Sequence, residues 1–227
     1  MDQRNYNDKV SVIINANEPH IACLLLLDSS ESMSGEPIEE LNAALNKFKL
    51  GVFQDKTTRD VLDIAIVEFN DNPNVIQEFL PFESMKPVNL SAGGGTNMEP
   101  AISLAIDMVK ERLKFYQKTR TKPFKPWIIM VSDGFGGSVD NIASTIRDME
   151  EKQMLKFFSL GVEGYDPKVL HQLSGEKVTS LKGFDFTDLF SWIPGPRKRS
   201  IPVCSPSEKP KGVPLLSNID KDTDDWI

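Results

Sequence analysis

The chain has 227 residues, 40% of them hydrophobic and 26% charged, with a net charge of −7. This length and balance give one α/β domain a full core and some sequence to spare. The acidic balance excludes bulk binding along a nucleic-acid phosphate backbone, which needs a basic face.

Residues 1–14 read as an N-terminal arm, with a short strand at Val10–Ile14. Ile21–Leu27 is a continuous apolar run of strand length, the pattern of a strand covered on both faces. An Asp-Ser-Ser cluster ends it. A helix follows, with Pro37 in its first turn and Ile38, Leu41, Leu45 and Phe48 at steps of three and four. Val61–Phe69 alternates in part, Ile64 and Ile66 against Asp63 and Glu68, and reads as a strand. Val75–Leu80 is its hairpin partner across Asp71-Asn72-Pro73.

Gly93-Gly94-Gly95 leads into a second helix marked by Ile102, Ala105, Val109 and Leu113. Trp127–Val131 is another buried strand, ended by Ser132-Asp133-Gly134. Ile142, Ile146 and Met149 mark a third helix. Leu155–Val162 reads as a strand, Pro167–Leu173 as a short helix, Lys177–Leu181 as a last strand and Phe184–Trp192 as a closing helix. Six prolines between Pro194 and Pro214 make 194–227 a tail unable to build its own core.

Alternating strands and helices predict a doubly wound, mostly parallel sheet with helices on both faces and one antiparallel edge strand. Such sheets bind ligands at their carboxyl edge, near the topological switch point. Three loops of oxygen-bearing residues fall at that edge. The first holds Asp28, Ser30 and Ser32, whose alternate spacing points all three one way if the chain stays extended. The second adds Thr96 after the glycine triplet, and the third adds Asp133. Oxygen ligands without nearby His or Cys suit a hard cation: Mg²⁺, Mn²⁺ or Ca²⁺.

Each residue alone also has a purely structural account. Ser32 or Ser34 can cap the helix near Pro37, Thr96-Asn97-Met98-Glu99 matches a capping box, and Asp133-Gly134 is a turn sequence. Their coincidence at one edge favours metal binding.

Asp28-Ser29-Ser30-Glu31-Ser32 resembles the D-x-S-x-S motif of the metal-ion-dependent adhesion site in von Willebrand factor A domains. Ser91 to Met98 is similar to that family's threonine loop, and Trp127 to Gly134 to its aspartate-bearing loop. The likeness spans residues 15–193. It implies that Ser30, Ser32 and Thr96 contact the metal, that Asp28 and Asp133 do so directly or through water, and that a protein partner's Asp or Glu completes the coordination. Two positions depart from the family pattern: Glu31 stands where glycine is frequent, and Phe135-Gly136-Gly137 where polar residues are. Asn17 to His20, Ser34 to Glu39 and the terminal Phe184 to Trp192 also resemble bacterial TerY-type proteins associated with tellurite and chemical-stress resistance.

The expected function is therefore a non-enzymatic, metal-dependent interaction module in a bacterial stress-response or phage-defence assembly. A substrate adaptor for a hexameric ATPase is a second reading. The third is a metal-dependent phosphate-ester hydrolase, since Asp28 occupies a position like the nucleophile of haloacid dehalogenase-like phosphatases. Those enzymes place a second aspartate where Ser30 stands.

The two cysteines, Cys23 and Cys204, are far apart and lack metal-ligand spacing, so neither a disulfide framework nor a zinc site is expected. The longest apolar run is far shorter than the ~20 residues that span a bilayer, and residues 1–20 contain no signal-peptide core. The expected compartment is the cytoplasm, with neither membrane nor nucleic acid as partner.

Overall fold

The computed structural model describes Ile13 and residues 17–183. The strand expected at Val10–Ile14 (apart from Ile13), the helix expected at Phe184–Trp192 and the tail 194–227 lie outside the described residues.

Six strands form one sheet: β1 (Ile21–Asp28), β2 (Leu62–Phe69), β3 (Pro73–Pro81), β4 (Trp127–Ser132), β5 (Lys156–Gly161) and β6 (Val178–Ser180). Their order is β3-β2-β1-β4-β5-β6. All neighbours run parallel except β3, which pairs antiparallel with β2 at one edge. The sheet is thus doubly wound and mostly parallel, as the alternation of elements predicts.

Every residue of β1 is fully buried. Its odd-numbered apolar residues, Ile21, Cys23, Leu25 and Leu27, face a core shared with α1 (Glu36–Gln54) and the short α2 (Lys56–Val61). Ala22, Leu24 and Leu26 face the opposite core, built with α3 (Met98–Thr119), α4 (Asp140–Glu151) and α5 (Pro167–Ser174). A strand packed on both faces has no polar side to display, which is why its sequence is a run and not an alternation.

Sequence and structure differ at two places that matter. Val61 closes α2 instead of opening β2. This helix is set by Asp55, whose carboxylate accepts from the Thr57 and Thr58 amides and the Thr58 hydroxyl, a strong N-cap. Asp63, placed by the alternation on a polar face, is fully buried. There α3 covers the sheet and brings Arg112 Nη2 to 2.8 Å from Asp63 Oδ2, with the Tyr116 hydroxyl donating to the same oxygen. His20 Nδ1 lies 3.2 Å from it.

The topology positions the site. From β1 the chain winds outward to β2 and β3, whereas β4 begins on the other side of β1 and winds away to β5 and β6. The switch point lies between β1 and β4, so Asp28 at the end of β1 and Ser132 at the end of β4 are neighbours. Because β3 is antiparallel, residues 82–97 must climb back to the carboxyl edge. Asn42 on α1 pins this segment: its amide donates to the Leu90 carbonyl at 3.0 Å, and its oxygen accepts from the Leu90 amide at 2.8 Å.

Candidate metal site

Asp28 is the keystone of the first loop. It is buried, and one carboxylate oxygen accepts from both the amide and hydroxyl of Ser30, at 2.9 and 2.6 Å. The other accepts from Ser132 Oγ at 2.6 Å, tying β1 to β4 across the switch point. Ser30 is extended at φ −63°, ψ 165°, but Glu31–Met33 then form a 3-10 turn. Extended chain therefore stops at Ser30, contrary to the expected run. The turn still brings Ser32 Oγ to 3.1 Å from Ser30 Oγ, with Ser30 buried and Ser32 exposed.

The second loop is held from both sides. The Gly93 amide donates to the Ser29 carbonyl at 2.8 Å, and the Glu31 amide to the Gly94 carbonyl at 3.0 Å. On the other side, Asp71 Oδ1 accepts from the Gly95 amide at 2.7 Å, and the Asn97 amide reaches the Asn70 carbonyl at 2.8 Å. Gly94 has φ 78°, and a Cβ there would collide with the Asp71 carboxylate. Thr96 follows directly, half-buried. It is not the helix cap: Asn97 takes that position on α3 without a side-chain cap bond. The capping-box account of Thr96 is not realised.

The third loop supplies Asp133, which is 3% exposed. Its Oδ1 accepts from the Phe135 amide at 3.0 Å, while Oδ2 is buried without a hydrogen-bond partner. Gly136 packs beside Thr96 and Met98, so a Cβ there would sit 3.3 Å from Thr96 Cγ2 and 3.1 Å from Met98 Cε. Loops two and three are thereby in contact. Gly134, at φ 76°, abuts the Asp166 carbonyl oxygen, and the Asp166 amide donates to the Asp133 carbonyl at 2.8 Å. Gly134→Ala should therefore cost of order 1–3 kcal/mol through backbone strain and loop displacement. Urea unfolding indistinguishable from wild type would show that the third loop yields freely.

The three loops thus gather Asp28, Ser30, Ser32, Thr96 and Asp133 at one edge, the five residues singled out from sequence. Desolvation, with a smaller contribution from Asp133, pushes the Asp28 carboxyl up to about 6, against the lowering effect of its Ser132 and Ser30 hydrogen bonds. The Asp28 and Asp133 carboxylates lie close enough to interact electrostatically, and Asp133 Oδ2 is buried with no hydrogen-bond partner. Among the described residues no three His, Cys, Asp or Glu come together as a metal cluster, so any ion here depends on the serine and threonine hydroxyls. The donor set fits a hard divalent cation.

Sequence reasoning passed over the supports of this cage. Ser132 was visible only as part of a loop motif, yet it orients Asp28. Asp71 read as a turn residue, yet it fastens the glycine loop. Both act across 104 and 24 residues of chain, a separation that local pattern does not reveal.

An α/β sheet whose switch point carries this oxygen-rich cage defines a class of domain, and sequence comparison agrees with it. The model of the von Willebrand factor type A domain matches residues 24–191, and the chain belongs to that family. No curated protein matches the chain. Among solved structures, manganese-loaded TRAP protein of Plasmodium vivax is similar with a TM-score of 0.56 at 16% identity, over 75% of this chain and 70% of that one. Proximal thread matrix protein 1 from the mussel byssus is similar with a TM-score of 0.50 at 21% identity, over 72% of this chain and 42% of that one. The chain thus spans less than half the length of the mussel protein.

Proposed function

We propose that the domain is a metal-dependent protein-interaction module. Asp28, Ser30, Ser32, Thr96 and Asp133 would hold one Mg²⁺ or Mn²⁺, and a partner's Asp or Glu would complete its coordination. The observation that carries this reading is Asp133 Oδ2, buried and unpartnered in a cage whose other members are the Asp28 carboxylate and the hydroxyls of Ser30, Ser32 and Thr96. The two carboxylates would balance the charge of a divalent ion, while the neutral hydroxyl ligands would leave it electrophilic, so that an anionic oxygen would suit an open position. The protein's own share is to hold the hydroxyls in place: Asp28 orients Ser30, Ser132 orients Asp28, and Asp71 fixes the strand of chain carrying Thr96.

The manganese in the similar Plasmodium vivax protein supports a divalent ion here. The resemblance of Asn17 to His20, Ser34 to Glu39 and Phe184 to Trp192 to TerY-type proteins supports a bacterial stress-response assembly as the setting. Among the described residues no helix is long and apolar enough to cross a membrane.

Calorimetric titration with Mg²⁺ is expected to show about one site per chain. Free metal a hundredfold above its dissociation constant should stabilise the fold by about 2.7 kcal/mol. Melting curves identical in EDTA and in millimolar Mg²⁺ or Mn²⁺, with no calorimetric signal, would overturn the proposal.

A further inference from the structure

The rim of the cage carries chemistry that the metal does not need. Glu31 and Asp71 are exposed and flank the glycine triplet. Glu31 Oε2 would lie 4.0 Å from a Cβ on Gly93, and Asp71 accepts from the Gly95 amide on the other side. Neither is among the five cage residues, so both carboxylates remain as surplus negative charge beside the mouth.

The third loop adds an apolar element. Among the described residues four large hydrophobic side chains are exposed: Leu50, Phe53, Phe135 and Met154. Leu50 and Phe53 lie in the far half of α1, and Met154 precedes β5 at the opposite edge of the sheet. Phe135 alone stands at the carboxyl edge, 51% exposed. It is also held in place, with its amide bonded to the Asp133 carboxylate and the next residue, Gly136, packed on Thr96 and Met98. An exposed aromatic side chain on backbone held beside the cage is a positioned contact for a partner.

We propose that this rim selects a protein segment bearing a single metal-ligating carboxylate, flanked by a large apolar side chain that packs on Phe135 and by basic residues that face Glu31 and Asp71. The inference rests on the metal–carboxylate reading above. One partner carboxylate gains the ion. A second finds no further cation and sits within a Debye length (~8 Å at physiological salt) of two like charges. A run of acidic residues is therefore disfavoured, and Lys or Arg beside the ligating residue is favoured.

The test is an immobilised array of nine-residue Ala/Gly peptides with a central Asp, its neighbours varied among Leu, Lys, Ala and Asp, probed with the fluorescently labelled full chain. In Mg²⁺, signal is expected to be highest where Leu and Lys flank the Asp and lowest where Asp does. A central Asn or EDTA should abolish it. Phe135→Ser should cut the Leu preference about fivefold, as loss of an aromatic anchor does. Glu31→Gln should reduce the Lys preference by up to about fivefold. A Mg²⁺-dependent signal that ignores the flanks, prefers acidic ones, or keeps its ranking in both variants overturns this inference and leaves the metal-binding module standing. No signal that needs both Mg²⁺ and the central Asp overturns the module, and the rim reading with it.

Discussion

Asp63→Asn is expected to lower the stability of the domain by about 3–5 kcal/mol, the usual cost of breaking a buried ion pair from one side. For a domain of this size that corresponds to a fall of roughly 6–20 °C in melting temperature. Asp63 is fully buried, and Arg112 is 3% exposed. One carboxylate oxygen receives the Arg112 guanidinium, the Tyr116 hydroxyl and a contact from His20. Asparagine keeps the shape but removes the charge, so the guanidinium stays in a low-dielectric interior without its counter-ion. Aromatic rings of Phe79, Phe115 and Tyr116 lie within 6 Å of the Arg112 guanidinium carbon, and cation–π contacts offset only part of that loss. The double variant Asp63→Asn with Arg112→Met should recover much of the stability, because the cost lies in the stranded charge more than in the missing bond. A single variant within 1 kcal/mol of wild type by urea denaturation would show that the cluster is wet and weakly coupled.

The two buried aspartates respond to pH in opposite senses. Burial alone pushes the Asp63 carboxyl up, but the His20 hydrogen bond, the Arg112 charge and the remaining hydrogen bonds outweigh it, and the result lies below the ordinary value. Its stabilising contribution is thus present above the unfolded carboxylate range and is lost as pH falls through the folded value. Asp28 lies above its ordinary value, at about 6 instead of 3.8. The folded metal-free protein therefore holds a proton that the unfolded chain has released, and this group weakens the metal-free fold as pH rises from about 4 to about 6. In EDTA, the stability difference between wild type and Asp28→Asn should shift in favour of the variant across that interval. A difference independent of pH between 4 and 6.5 would contradict the assignment.

These residues also mark how far the sequence can be read. The cage residues were legible because each follows or precedes an element with a strong pattern: a seven-residue apolar run before Asp28, a second before Asp133, and a glycine triplet before an amphipathic helix at Thr96. What local pattern could not reveal is contact made across long stretches of chain. Asp63 looked like one polar member of an alternating strand because Arg112 and Tyr116, which bury it, come 49 and 53 residues later. The helix at Lys56–Val61 was hidden for another reason. At 6 residues it is too short to show a period, and its only signal is the capping pattern of Asp55 with Thr57 and Thr58. The spacing argument for Ser32 assumed extended chain, whereas a 3-10 turn brings its hydroxyl to Ser30.

Asp28→Asn is expected to abolish stabilisation by Mg²⁺ while the domain stays folded. The choice of substitution matters, because Asp28 is a buried hub and not a side chain at the surface edge. Alanine would leave the Ser30 amide, the Ser30 hydroxyl and the Ser132 hydroxyl without their acceptor, and each buried donor left unsatisfied costs about 1–3 kcal/mol. Asparagine retains an acceptor oxygen for Ser30, and the Ser132 hydroxyl can turn to accept from the new amide. The desolvation that raises the Asp28 carboxyl also disappears, so the variant in EDTA should melt close to wild type. With the charge gone, the cage keeps one carboxylate, Asp133, against a divalent ion, and the roughly 2.7 kcal/mol expected at a hundredfold excess of metal should vanish. Thr96→Val separates ligation from charge: it keeps the shape of the loop and both carboxylates but removes one hydroxyl. It should weaken metal binding by at least on the order of tenfold, the loss that follows removal of even an outer-shell partner. Differential scanning calorimetry of the three proteins with and without Mg²⁺ decides the matter. If Asp28→Asn and Thr96→Val gain as much from Mg²⁺ as wild type does, the ion binds elsewhere, and the cage at the switch point is a hydrogen-bonded closure of the sheet edge instead of a metal site.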